Sequence, residues 1–311
     1  MAKKKQYRIR NWKEYNKALV NRGSLTLWFD ENITENWYSF NTKGKRGRPT
    51  LYSELAIECC LSIRTVFHLP LRATEGFINS LFELLSLPLA SPDYSSMSKR
   101  QKTMSIQLPK RDTPSESMHL VVDSTGLKLY GEGEWKIRTH GKDKRRSWLK
   151  LHLAVNESNH DIEACMLTAD NVHDAEVLPS LLEQIEEKQL SQVTADGAYD
   201  THDCYEVTLL KGATPCFPPR INASRHKPED KAWIARNQAV SHVIYKGLKS
   251  WKKKSNYHRR SLVETAMFRF KTLLGNRVCA RTSERQAMEV ALKCKVINVF
   301  NQLGMPVTEF S

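Results

Sequence analysis

The apolar positions between Ser53 and Phe67 (Leu55, Ile57, Leu61, Ile63 and Val66) recur at helical spacing. They predict a buried helix with Ser53 as its N-cap and Pro70 as its stop. Thr74 to Leu85 predicts a second helix, striped by Phe77, Ile78, Leu81, Phe82 and Leu85, with Pro88 and Pro92 marking the turn beyond it. Asp93 to Arg100 reads as the start of a short polar helix. Its Ser96, Lys99 and Arg100 stand where a recognition helix would meet phosphates and base edges. Three short helices ending in a basic one fit a helix-turn-helix-like arrangement around 53–105. Upstream, aromatics (Tyr7, Trp12, Tyr15, Trp28, Phe29, Trp37, Tyr38) are mixed with Lys and Arg, and the pattern supports only short helices.

Residues 101–117 are polar with two prolines and read as a linker, after which the pattern changes. Met118 to Asp123 is a strand, Trp148 to Val155 alternates apolar and polar residues, and Ile162 to Leu167 follows a turn at Asn159–Asp161. These three form an expected antiparallel meander. A helix at Asp174–Lys188 carries Val177, Leu178, Leu181, Leu182 and Ile185 on one face. A strand at Gln192–Ala195, a helix at Thr201–Leu210, a strand around Ala213–Phe217 and a helix from Tyr257 complete the series. Three strands, helix, strand, helix, strand, helix is the order of a ribonuclease-H-like fold, a mixed five-stranded sheet flanked by helices. The expected division is an N-terminal DNA-binding region at 1–111 and a catalytic core at 118–217 and 256–305, with 218–255 as a separate basic subdomain.

Composition narrows the class. The chain has 311 residues, 40% hydrophobic and 26% charged, which excludes a largely disordered protein. It holds no run of 18 apolar residues, and the basic N-terminus lacks the apolar stretch of a secretory signal. Seven cysteines without a C-x-x-C pair suggest neither a disulfide framework nor a zinc site, so the cytoplasm is the expected compartment. Charge says more: 48 Lys+Arg against 34 Asp+Glu give a net charge of +14. A polyanion is the expected partner, nucleic acid first. Residues 1–50 hold 12 Lys+Arg against 4 Asp+Glu, and residues 217–262 hold 12 against 2, which makes two basic surfaces. Within the first, Arg46 and Arg48 of Lys45–Pro49 suit a narrow minor groove, the alternative being an ordinary loop ahead of a helix.

Three carboxylates stand where chemistry would need them. Asp123 ends an apolar strand in Val121-Val122-Asp123-Ser124-Thr125-Gly126, unless it merely caps a turn there. Asp196 follows the fourth strand and precedes Gly197, while Asp200 reads as the cap of the next helix. Tyr257 to Lys271 reads as one helix, on which Tyr257, Arg260, Glu264 and Lys271 share a face at about 100° per residue. Leu262, Val263, Ala266, Phe270, Leu273 and Leu274 gather opposite. A Glu among cations at this spacing is commonly a solvated salt-bridge face, but the tyrosine and the strong apolar anchor argue for more. Gathered carboxylates repel unless a cation sits among them. An all-oxygen donor set favours Mg²⁺, with Mn²⁺ as substitute, over zinc. Two such ions could hold a phosphodiester from both sides, with Arg260, Lys271 and Tyr257 on neighbouring phosphates.

These residues resemble the DDE transposases of bacterial insertion sequences, specifically the "insertion sequence five" family. Tyr257, Arg260, Glu264 and Lys271 match the spacing of that group's Tyr-Arg-Glu-Lys signature. Val122–Gly126 and Ala195–Asp200 are similar to the blocks around its two aspartates. Gly131–Trp135, Arg146–His152, Gly47–Pro49 and Asp93–Arg100 extend the likeness over most of the chain. The resemblance implies Asp123, Asp196 and Glu264 as a metal-binding triad and Mg²⁺-dependent cleavage at terminal inverted repeats. It also implies joining of the freed 3′-OH to target DNA, and synapsis by a dimer or larger homo-oligomer in a bacterial, nucleoid-associated setting. The 67 residues between Asp196 and Glu264 resemble the group's insertion before its last catalytic helix. There Trp233, Trp251 and Lys252, Lys253 and Lys254 are candidates for DNA contact, packing of the tryptophans being the alternative. Rival readings are a structure-selective nuclease of the same fold and a transposase-derived DNA-binding regulator. His173-Asp174 reads as a helix cap.

Overall fold

The computed structural model describes residues 7–29, 33–39, 50–109, 111, 117–129, 148–185 and 190–310. Arg46, Arg48, Gly131–Trp135 and Arg146–Ser147 lie outside these. The chain divides into two compact units, residues 1–107 with 282–311, and residues 108–281.

The first unit is helical. Strand β1 (Tyr7–Ile9) and helices α1 (Trp12–Asn21) and α2 (Ile33–Asn36) precede α3 (Glu54–Val66), α4 (Leu71–Leu84) and α5 (Tyr94–Arg100). The expected caps form: Ser53 accepts from the Ala56 amide at 3.0 Å, and Asp93 accepts from the Ser95 amide at 2.7 Å. Trp37 lies at the centre, fully buried, donating its indole N–H to the Ala90 carbonyl at 2.8 Å and meeting Phe82 edge-on. The long helix α11 (Ser283–Leu303) belongs to this unit and adds Met288 and Leu292 to its core. Division of the chain by compactness therefore places 282–305 with the N-terminal helices, whereas the sequence pattern grouped them with the core. A helical stripe reveals that a helix has an apolar face but not which partner will cover it. Strand β8 (Thr308–Phe310) pairs antiparallel with β1, and Asn11 clamps the same chain end through Met305 and Val307.

The second unit is built on one sheet. Strands β2 (Met118–Leu129), β3 (Trp148–Asn156) and β4 (Ile162–Ala169) form the meander. Next come α6 (Asp174–Glu183), β5 (Leu190–Thr194), α7 (His202–Leu210) and β6 (Thr214–Cys216). Helices α8 (Lys231–Lys246) and α9 (Leu248–Lys254) fill the basic segment, followed by α10 (Ser261–Leu274) and β7 (Arg277–Val278). The order is β4-β3-β2-β5-β6, and β7 adds a sixth strand against β2. The five strands expected from sequence become six because a two-residue strand carries no periodic signal.

Alternation along β2 explains the layers. Leu120 and Val122 point into a core shared with Val177, Leu178, Leu181 and Leu182 of α6 and with Tyr199, Tyr205 and Phe217. The odd positions of β2 face the other way, where α10 packs through Val263, Ala266, Phe270 and Leu274. Full burial of Val263, Phe270 and Leu274 stabilises by about 1.5–3 kcal/mol each, so α10 is anchored firmly enough to present its polar face to fixed positions on β2.

Candidate active site

Asp123 is not at the end of its strand, as the sequence suggested. Strand β2 continues to Leu129, because Ser124–Lys128 pair with His152 down to Trp148 of β3. The other edge of β2 is shared. Its first part pairs with β5, ending at Val121 opposite Thr194, and its last two residues pair with β7. Between them the edge is open, and Asp123 sits at that gap. Two residues beyond the Val121–Thr194 pair lie Asp123, still in β2, and Asp196, just past the end of β5, so the parallel register brings the two aspartates level.

The third carboxylate arrives on α10. Tyr257–Lys271 is not one helix: Asn256 is left-handed at φ 55°, Tyr257–Arg260 is a 3₁₀ turn, and the α-helix starts at Ser261. The tighter turn advances about 120° per residue, which changes the projection of Tyr257 from that of a continuous α-helix. Arg260, Glu264 and Lys271 keep their common face. Arg260 donates from Nη1 to Asp123 Oδ2 at 2.5 Å and from Nη2 to Glu264 Oε1. Lys271 Nζ donates to Thr125 Oγ1 at 2.6 Å, two residues along the same face of β2.

The electrostatics fit a site that needs positive charge. Burial pushes the Asp123 carboxyl up, with the negative charges of Asp196 and Glu264 adding to it, while the Ser124 amide and Arg260 work the other way. Burial pushes the Tyr257 phenol up to about 12, with Arg260 opposing and Asp196 and Asp123 reinforcing. Burial also lowers Lys271. For Arg260, burial would lower the guanidinium, but Asp123, Tyr257, Glu264 and Asp196 together raise it. Asp123, Asp196 and Glu264 offer only hard oxygen donors, a set suited to Mg²⁺ or Mn²⁺.

The opposite face of β2 carries a network that the sequence did not disclose. Ser124 donates to Asp174 Oδ2 at 2.9 Å, and Lys150 donates to Asp174 Oδ1 at 2.9 Å and to the Val172 carbonyl at 2.8 Å. His173 caps α6 by accepting from the Ala175 amide at 3.3 Å, as expected. Asp200 does not cap α7. It is buried and paired with Arg236 of α8 through two hydrogen bonds of 2.9 Å. A signal was available: Ala232, Arg236 and Val240 form the buried stripe of α8, and an arginine in such a stripe needs a buried acid.

Lys252 and Lys253 are exposed on α9, with Lys252 Nζ 5.1 Å from the Tyr257 ring centre. Trp251 is buried beside Tyr257, and Trp233 stacks on His226 and also meets the tilted His202 ring at 4.9 Å, so both indoles take part in packing. In the helical unit Lys99 is exposed and Ser96 partly so, whereas Arg100 binds the Tyr52 carbonyl at 3.1 Å and faces Glu54. His202, Asp203 and Glu206 bring ligand atoms within 4.8 Å of one another on α7, but His202 already faces Asp203 and Asp230.

A mixed, helix-flanked sheet with a carboxylate on its central strand defines an α/β core compatible with the ribonuclease-H-like enzymes. The chain belongs to the transposase DDE domain family: that family's model matches residues 114–299, and a second transposase DDE domain model matches residues 20–132. Membership makes the protein a transposase-type nuclease whose partner is DNA, and divalent ions are typical of the family. No helix among the described residues is long and apolar enough to cross a membrane.

Proposed function

We propose that the chain is the transposase of a bacterial insertion sequence of the "insertion sequence five" branch. It binds the terminal inverted repeats, cleaves them by divalent-metal-dependent hydrolysis and joins the 3′-OH ends to target DNA. The observation that carries this reading is the meeting of β2, β5 and α10: the register levels Asp123 with Asp196, and Arg260 ties Asp123 to Glu264. Asp123, Asp196 and Glu264 hold the metal, Mg²⁺ with Mn²⁺ as substitute and two ions per site. Ions held by these residues would supply activation of the attacking oxygen and charge stabilisation of the leaving oxygen of the phosphodiester.

The protein's own groups do the rest. Three fixed carboxylates set where the scissile phosphate rests, and the strand and helix that carry them limit its movement. Arg260 neutralises the carboxylates and has the fork to grip a phosphate oxygen. Tyr257 stays protonated at neutral pH, so it serves as a hydrogen-bond donor to the DNA backbone rather than as a base. Lys271 supplies charge one helical stretch further along the strand path. Ser96 and Lys99 of the N-terminal region, with Arg46 and Arg48 of its sequence, are further contacts for duplex DNA, and Lys252 and Lys253 of segment 218–255 are others. Arg100, held by Tyr52 and Glu54, orders the start of α3 and contacts DNA only if it leaves them. Two ends must be held together for joining, which calls for a homo-oligomer.

End-labelled duplexes carrying candidate terminal repeats, incubated with and without Mg²⁺ beside a Glu264→Gln control, test the reading. Metal-dependent 3′-end nicking and joined products, absent in the control, are expected. Specific binding without cleavage would favour a regulator, and cleavage indifferent to the terminal sequence would favour a structure-selective nuclease.

A further inference from the structure

We propose that Arg220 and Arg236, both in segment 218–255, are positioning residues for Asp196. The proposal rests on the reading of Asp196 as a metal ligand.

The turn that carries Asp196 is slight. Gly197–Tyr199 is a single 3₁₀ turn, closed by the Tyr199 amide on the Asp196 carbonyl at 3.2 Å and the Asp200 amide on the Gly197 carbonyl at 3.3 Å. The Asp196 carboxylate is aimed by one bond of that turn, accepting from the Ala198 amide at 2.8 Å. Wherever Ala198 moves, the carboxylate moves with it. Tyr199 anchors one side of the turn in the core, but so short a turn with so few backbone bonds leaves its Asp196 end weakly held.

Side chains from 218–255 supply what the turn lacks. Arg220 donates from Nε to the Gly197 carbonyl at 3.2 Å and from Nη2 to the Ala198 carbonyl at 3.1 Å, so one guanidinium spans the two peptide units beside Asp196. Its backbone amide donates to Asp200 Oδ2 at 3.1 Å. Asp200, at the other end of the turn, is locked by the two-point grip of Arg236, whose Nη1 also donates to the Ser224 carbonyl at 3.1 Å. Both partners are more than nine-tenths buried.

Stability alone is a poor reason for that pair. Desolvating two charges costs several kcal/mol each, and a well-packed apolar pair often does as well or better. What a bidentate pair adds is direction, because the planar fork fixes both the distance and the plane of the carboxylate. Segment 218–255 thus acts as a brace that sets the second aspartate as well as a basic surface.

The test is Mn²⁺ titration of the full-length protein without DNA, followed by electron paramagnetic resonance of free Mn²⁺. Hydrogen exchange of the 195–201 peptide and the melting temperature are recorded on the same samples. Arg220→Ala removes an exposed side chain and Arg236→Lys keeps the charge but loses the fork; Asp196→Asn is the control. The brace predicts Mn²⁺ affinity lowered roughly 10-fold or more in both variants, the scale known for residues that orient metal ligands. It also predicts faster exchange at 197–199, with Arg220→Ala melting like the wild type. Wild-type affinity and exchange in Arg220→Ala would overturn the brace while leaving the triad intact. Mn²⁺ binding that ignores Asp196→Asn would remove the metal reading, and the brace with it.

Discussion

Asp123, in β2, and Asp196, just past the end of β5, stand level, yet they are held by different means. Asp123 lies inside a twelve-residue strand paired with β3 along its length and with β5 and β7 along its other edge. Its position is a property of the sheet. Asp196 sits on one turn beyond β5, and the groups that steady this turn come from residues 20 to 40 positions later. One carboxylate is fixed by repeating backbone bonds and the other by a few side-chain bonds. The second arrangement can be lost by a substitution far from the site in sequence.

The largest effect expected is the one in which the two aspartates agree. Asp123→Asn and Asp196→Asn should each lower cleavage of terminal-repeat DNA by on the order of a thousandfold or more. On the proposed reading each removes a metal ligand whose charge would contribute several kcal/mol at the transition state. A gel-shift assay should find DNA binding retained in both. If either variant still cuts within about tenfold of wild type, it is not a ligand and the symmetry of the pair is broken.

The arginines that serve the two acids should then part company. Arg236→Gln leaves Asp200 charged and buried, a change that costs about 3–5 kcal/mol and should lower the melting temperature by roughly 10 °C. Arg260→Gln touches one half-exposed carboxylate, Glu264, and one mostly buried, Asp123, so its cost in stability should fall below that of Arg236→Gln, whose partner is fully buried, while DNA cleavage falls steeply. Thermal melts beside cleavage rates separate the two. Equal losses of stability would mean that Arg260 is as structural as Arg236.

The sequence disclosed the face of the site that depends on period. Glu264, Arg260 and Lys271 recur at helical spacing above an apolar stripe, and Asp123 and Asp196 each follow a short strand pattern, so the residues proposed for the site stand out in local windows. Tyr257 was found by spacing, but its 3₁₀ turn was not, since it hangs on the left-handed Asn256 and not on an apolar repeat. Strand β7 and the open gap in β2 were invisible because two residues make no pattern. The Asp200–Arg236 pair spans 36 positions, and the Ser124–Asp174–Lys150 network joins three separate elements. Nothing in a window of sequence ties such partners together except the oddity of an arginine in an apolar stripe. For the same reason Asp200, four residues from Asp196 and next to a helix, looked like a cap.

The smallest effect concerns a second tie between the brace and the core. His202, at the start of α7, faces Asp230 Oδ2 at 2.7 Å, and Asp230 caps α8 by accepting from the Trp233 amide at 2.8 Å. The hydrogen bond to Asp230, with help from Asp203, raises the His202 imidazole above its ordinary value, against a lowering by burial. A group raised on folding contributes stability fully present below the unfolded value of about 6.5 and lost as pH climbs through the raised one. The wild type should therefore exceed His202→Gln in melting temperature by on the order of a degree at about pH 6, and the gap should close in alkaline buffer. The Mn²⁺ affinity of His202→Gln should match that of the wild type at each pH, because Arg220 and Arg236, not the imidazole, hold the Asp196 turn. A melting difference that stays flat from about pH 5.5 to 9 would show that the histidine packs against Trp233 without serving as a charged tie.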